Sequence, residues 1–136
     1  MKRLLLWLGG AGIALFGAIQ FVPAARTNPP VEFDAGWDSP RTRELFYRAC
    51  ADCHSHETRW PWYSRVAPVS WLIANHVREG RRDMNVSVPD EVDVTEAVAQ
   101  IRDGRMPPAD YQLMHPEACL DEAEKAELIS GLKKTF

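Results

Sequence analysis

The sequence predicts an all-α fold, on three observations. Beyond residue 40 the apolar side chains recur at the 3.6-residue period of amphipathic helices. Alternating runs of β-branched residues, the mark of strands, are few. Residues that start and stop helices stand at the ends of the periodic stretches.

The first predicted element is apolar almost throughout. Leu4 to Val22 is a run of nineteen residues with Gln20 as its one strongly polar side chain, preceded by Lys2 and Arg3. That length fits one helical crossing of a hydrocarbon layer. The positive charges in front favour an N-terminus kept in the cytoplasm, with the rest of the chain outside. A cleaved signal peptide is the competing reading, but its apolar stretch is usually shorter and ends on small residues. Val22-Pro23-Ala24-Ala25 matches an A-x-A site poorly, so an uncleaved anchor over 1–22 is favoured. Pro23, Pro29, Pro30 and Gly36 punctuate residues 23–39, which read as an extended tether. Residues 40–136 are left for one small domain.

Four helices are predicted in that domain. Ser39-Pro40 pairs an N-cap with a proline at the first helical position, and the helix runs through Leu45, Phe46 and Ala49 into Cys50. A second starts near Pro68 or Ser70, carries a stripe of Val69, Leu72, Ile73, His76 and Val77, and is expected to end at Gly80. A third spans roughly Val92 to Asp103 and is stopped by Gly104. The last, from about Asp121 to Lys134, has acidic residues in its first turn and Lys133 and Lys134 in its last, as the helix dipole prefers.

The first of these helices delivers the chemistry-bearing motif, Cys50-Ala51-Asp52-Cys53-His54. C-x-x-C-H is the attachment signature of a c-type haem. One helical turn sets residues i, i+3 and i+4 on a single face, so two thiols and an imidazole converge. Cys50 and Cys53 suit thioethers to the two porphyrin vinyl groups, and His54 suits the iron from the same side. A redox dithiol or half of a zinc site are the bland readings of C-x-x-C. The adjacent His and the export signal disfavour both. About a hundred residues make a marginal core unaided, so the porphyrin is expected to form part of that core. Haem-free protein is therefore expected to be poorly folded, and native-like near-ultraviolet circular dichroism of the apo form would contradict this.

For the sixth coordination position Met106 is the leading candidate. It lies in Asp103-Gly104-Arg105-Met106-Pro107-Pro108, where Gly104 lets the backbone turn and two prolines stiffen the stretch that carries the thioether. The separation from His54 is long enough to wrap the ring. His56 sits too close to His54 to reach the opposite face. His76, Met84, Met114 and His115 are weaker alternatives. Trp60, Trp62, Tyr63 and Trp71 suit the walls of a porphyrin pocket, with an ordinary aromatic core the equal alternative for each. Arg59, Arg65, Arg81 and Arg82 are candidates for the propionates, though each taken singly reads better as a solvated charge. Cys119 is the odd thiol. Cys50, Cys53, His115 and Cys119 also supply the donors of a structural zinc site, a less favoured arrangement because it leaves His54 unused.

Without Lys2 and Arg3 the 16 basic residues become 14, against 19 acidic, a balance of −5. Nucleic-acid binding is disfavoured. A redox partner with a basic face would be steered towards such a surface. No Ser/His/Asp arrangement, phosphate-cradling glycine loop or H-E-x-x-H pattern is present, so hydrolytic and phosphoryl chemistry lack support.

Several longer stretches carry a family resemblance that covers nearly the whole chain. They are Gln20-Phe21-Val22-Pro23, Asn28-Pro29-Pro30, the run from Cys50 to Ser64, Pro68-Val69-Ser70-Trp71-Leu72-Ile73, Asn75 to Arg81, and Met106-Pro107-Pro108 with Tyr111 and His115-Pro116. In these the chain resembles the small membrane-anchored bacterial haem-binding domain proteins related to cytochrome c. The resemblance implies a cytochrome-c-like helical domain around one covalent haem c, tethered to the bacterial inner membrane and facing the periplasm. Ligation by His and Met suits single-electron transfer and not enzyme catalysis. A haem sensor or peroxidase-like protein with a labile sixth ligand is the alternative.

Overall fold

The computed structural model describes residues 1–136, and its regular elements are seven α-helices and two short 3-10 turns, with no strand. The all-α expectation is met. The chain forms two compact units, Met1–Thr27 with Trp60–His76, and Asn28–Arg59 with Val77–Phe136. Residues 60–76 thus group with the N-terminal segment and not with the remainder of 40–136.

The first unit contains α1 (Lys2–Ile19), none of whose residues is buried. It is long and apolar enough to cross a membrane. At its exit the Gln20 side chain clasps the backbone of Ala67: its Nε2 donates to the Ala67 carbonyl at 3.1 Å, and its Oε1 accepts from the Ala67 N–H at 2.9 Å. Two further bonds hold the same segment, from Trp71 Nε1 to the Val22 carbonyl and from Arg26 to the Ser64 carbonyl. A 3-10 turn over Trp62–Arg65 leads into α4 (Val69–Asp83), whose last residues belong to the second unit.

The second unit is built on α2 (Pro40–Ala49), α3 (Ala51–His54), α5 (Val94–Arg102), α6 (Ala109–Met114) and α7 (Glu122–Thr135). Ser39 caps α2 by accepting from the Thr42 N–H, with Pro40 in the first turn. Asp121 and Glu124 close a reciprocal capping box on α7. The core gathers Leu45, Phe46 and Ala49 of α2, Ile101 of α5, and Leu128 and Leu132 of α7, with Val86, Ala118 and Leu120 from the connections. Burying each large member is worth about 1.5–3 kcal/mol. Gly131 brings α7 hard against α2, since a Cβ there would land on the Thr42 side chain. Arg41 and Arg48 of α2 both reach Glu124 on the rim of that contact.

Two expected helix bounds are revised. Gly80 does not end α4, which continues to Asp83. The third helix is shorter than predicted and starts at Val94, because Asp93 caps it by accepting from the Thr95 and Glu96 N–H groups. The stretch between the anchor and α2 has no regular structure, yet much of it is strapped down. The N–H groups of Glu32 and Phe33 both donate to the Ser87 carbonyl, at 3.0 and 3.1 Å, Ala35 is buried, and Trp37 packs on Phe46. Backbone donors that no helix satisfies are met by a neighbouring loop.

Candidate functional site

The C-x-x-C-H turn is set apart from α2 by a backbone break at its first residue. Cys50 ends α2, donating to the Phe46 carbonyl at 2.8 Å, and its own carbonyl then accepts from the N–H groups of Cys53 and His54, at 3.1 and 3.0 Å. The α3 turn is thereby separate from α2 and carries Cys50, Cys53 and His54 together. Neither motif cysteine is in a disulfide, and both residues are half-buried. The protein packed around them opposes thiolate formation, pushing Cys50 up to about 12 and Cys53 up to about 11. For Cys53 the neighbouring carboxylates of Asp52 and Asp110 add to the effect, against Arg81. The haem-free turn thus holds neutral thiols at pH 7.

His54 is oriented from the stretch that follows α4. Its Nδ1 donates to the Met84 carbonyl at 3.1 Å, while the His54 carbonyl accepts from the Val86 N–H at 3.0 Å. A proton on Nδ1 leaves the lone pair on Nε2, the arrangement a metal-binding imidazole requires. Burial holds the ring below its ordinary pKa, so it stays neutral and competent as a ligand.

Gly80 explains why α4 can lie against this turn. A Cβ at that position would sit 2.7 Å from the Cys53 carbonyl oxygen and 2.9 Å from the Cys53 Cβ. The glycine is there for proximity, in mid-helix, and not for a turn.

Asp52, an unassigned spacer in the motif, proves to be a hub. Its buried carboxylate accepts from the backbone N–H and the guanidinium of Arg59, and from the Tyr111 hydroxyl at 2.8 Å. Tyr111 stacks on His115 with ring centroids 4.3 Å apart. Burial and the carboxylate both raise the Tyr111 pKa, so its hydroxyl remains a donor. Because Tyr111 lies in α6, five residues beyond Met106, this bond ties the Met106 segment to the cysteine turn. An aspartate between two motif cysteines looks like filler in sequence. Nothing there pairs it with a tyrosine 59 positions away.

Met106 itself is half-buried in a loop fixed at both ends. The N–H groups of Arg105 and Met106 both donate to the Gln100 carbonyl, and Gln112 donates to the Pro107 carbonyl. Gly104 has φ +68° and open space around it, so it is required for its backbone angle alone.

The other ligand candidates have different occupations. His56 is buried, with Nδ1 donating to the Pro30 carbonyl and Nε2 accepting from Asn85. Met84 packs on the core, and its carbonyl accepts from the His54 ring. Met114 is exposed, and His115 pairs with Glu117. His76 is exposed on α4. No three His, Cys, Asp or Glu side chains converge on a metal position, so the zinc arrangement of Cys50, Cys53, His115 and Cys119 does not form. Among the propionate candidates, Arg59 is spent on Asp52, Arg82 on Glu79, and Arg81 on Ser55, Thr58 and Asn28. Trp71 gives its indole N–H to Val22 and has none left for a propionate.

With this geometry in hand, the family model of a haem-binding domain matches residues 14–134. The chain belongs to the haem-binding domain family. No curated protein and no solved structure matches it. The residues of this haem-binding domain fit the cofactor. Two thiols and a neutral imidazole share one turn, the imidazole is held through Nδ1 with Nε2 left as the acceptor nitrogen, and a glycine brings α4 onto the turn.

Proposed function

We propose that this haem-binding domain is a membrane-anchored, monohaem c-type electron carrier of the bacterial periplasm, and not an enzyme. Cys50 and Cys53 would hold the porphyrin through thioethers, His54 would offer Nε2 to the iron, and Met106 would supply its thioether as the second protein ligand. When bound, the haem supplies a one-electron redox couple, and a firm His and Met pair suits it to passing electrons over binding small ligands. The observation that carries this reading is the His54 ring fixed by the Met84 carbonyl on the same turn as both thiols.

The chain's own contribution is rigidity. The Met84 carbonyl fixes the His54 tautomer, and the Tyr111 bond to Asp52 keeps the Met106 segment in register with the cysteine turn. Both restrict rearrangement on a change of charge. The length and composition of α1 and the absence of buried residues in it support the anchor, and Lys2 and Arg3 in its first turn support an outward-facing domain.

Protein matured in a host that makes c-type cytochromes tests the proposal directly. Haem should stay with the polypeptide through acid–acetone extraction and denaturing electrophoresis, and extraction of all the haem would refute thioether attachment. Met106→Ala should convert a six-coordinate low-spin spectrum into one that binds carbon monoxide rapidly when ferrous. An unchanged spectrum would remove Met106 from the iron. Rapid carbon monoxide binding by the unaltered ferrous protein would point instead to a labile sixth position.

A further inference from the structure

The segment clasped to the exit of α1 carries features that the haem site does not use. We propose that residues 60–76 form a collar lying in the lipid headgroup layer around the emerging anchor, with Trp62, Val69 and Leu72 turned to the membrane. The inference rests on the reading of α1 as a membrane anchor.

Depth is the first argument. The apolar part of α1, from Leu4 to Ile19, is 16 residues and about 24 Å long, of the order of a bilayer's hydrocarbon core, with Lys2 and Arg3 at its far end. Gln20, directly after its last residue, therefore emerges at the boundary. Ala67 is bonded to Gln20 twice, and Ser64 and Trp71 are bonded to Arg26 and Val22 just beyond, so the collar is held at that level.

The second argument is what the collar exposes. Trp62 is 76% exposed, Leu72 54% and Val69 41%, beside Phe21 at 89% and Val22 at 53%. So much apolar surface on one short segment marks an interaction site. Tryptophan in particular prefers the headgroup level, where its ring is shielded and its N–H stays wet.

Charge is the third. All 19 acidic residues of the chain lie in the other unit, and the charged side chains of this unit are Lys2, Arg3, Arg26 and Arg65. Arg65 is exposed in the turn that carries Trp62. A surface with cations, apolar groups and no carboxylate is complementary to phospholipid headgroups, anionic ones above all. An acidic or neutral protein patch would satisfy the arginine but gives no reason for the collar to be bonded at the helix exit.

The test uses the full-length, haem-loaded protein in vesicles of phosphatidylcholine and phosphatidylglycerol. Photoreactive p-benzoylphenylalanine replaces Ile13 in mid-anchor, Trp62 or Leu72 in the collar, or Glu127 on α7, and lipid adducts are read by mass spectrometry. Visible spectra check that each variant is folded, and the position 72 variant carries the test should the position 62 variant fail to fold. Lipid adducts at 13, 62 and 72, several-fold above those at 127, are expected. Gln20→Ala should lower the adduct at 62 and leave that at 13 unchanged. Lipid labelling at 13 with none at 62 and 72 would overturn the collar while leaving the anchor intact. Absence of labelling at 13 as well would overturn both, and equal labelling at 127 would overturn the collar as a specific contact.

Discussion

Replacing His54 by glycine is expected to abolish the low-spin spectrum of the haem-loaded protein while leaving the haem attached through Cys50 and Cys53. The physical reason lies in the division of labour on the turn. In the proposed arrangement the thiols would retain the group and the imidazole would offer nitrogen to the metal, aimed by the 3.1 Å bond from Nδ1 to the Met84 carbonyl. Deleting the ring opens a space bordered by that carbonyl, which then lacks its donor. Added imidazole has the shape and the N–H to fill both roles. Millimolar imidazole should therefore restore much of the low-spin spectrum in His54→Gly, and N-methylimidazole, which cannot both donate to the carbonyl and bind metal, should restore less. Equal rescue by the two would show that the Met84 bond does not orient the ligand. A low-spin spectrum in the variant without any addition would exclude His54 from the iron.

Gly80→Val is expected to be nearly as damaging, although position 80 is not a ligand. In an exposed helix, exchanging glycine for alanine gains up to about 1 kcal/mol. Here a Cβ meets the Cys53 carbonyl oxygen at 2.7 Å and the Cys53 Cβ at 2.9 Å, and the obstructing atoms belong mainly to backbone that cannot swing aside. Overpacking of this kind costs about 1–3 kcal/mol, so steric conflict outweighs propensity. Either α4 moves away from the cysteine turn or the turn deforms. Thermal unfolding of the haem-loaded protein should fall by roughly 5–15 °C for a domain of this size. Haem content per chain should fall with it. Gly80→Ala should show the same defects to a smaller degree, and Gly36→Ala, with nothing within 4 Å of its Cβ position, should be silent. A Gly80→Val protein as stable and as haem-rich as the parent would show that the close approach is not required.

The same glycine shows where reading the chain in one dimension stops. A glycine after a run of apolar periodicity signals either a helix end or a close approach, and the two are indistinguishable without knowing what lies opposite. At Gly104 the local reading holds, since its positive φ is set by the turn itself. At Gly80 it fails, since the constraint comes from Cys53, 27 residues earlier. The short α6 and the 3-10 turns over Trp62–Arg65 and Pro116–Ala118 likewise escape a periodicity search, because one turn or two is too short for a repeat to register.

What the sequence alone determined about this haem-binding domain is its local chemistry. The all-α class, the apolar first helix, the Ser39-Pro40 start of α2 and the meeting of Cys50, Cys53 and His54 on one turn all depend on neighbours within a few positions. Tertiary structure alone decided which groups occupy the surroundings of that turn. It aimed the His54 ring by the Met84 carbonyl, joined Asp52 to Arg59 and Tyr111, withdrew His56 into a bond with Pro30, and assigned residues 60–76 to the exit of α1. The reason is that a buried polar group must find a partner wherever the folded chain provides one, and distance along the sequence says little about who that partner is.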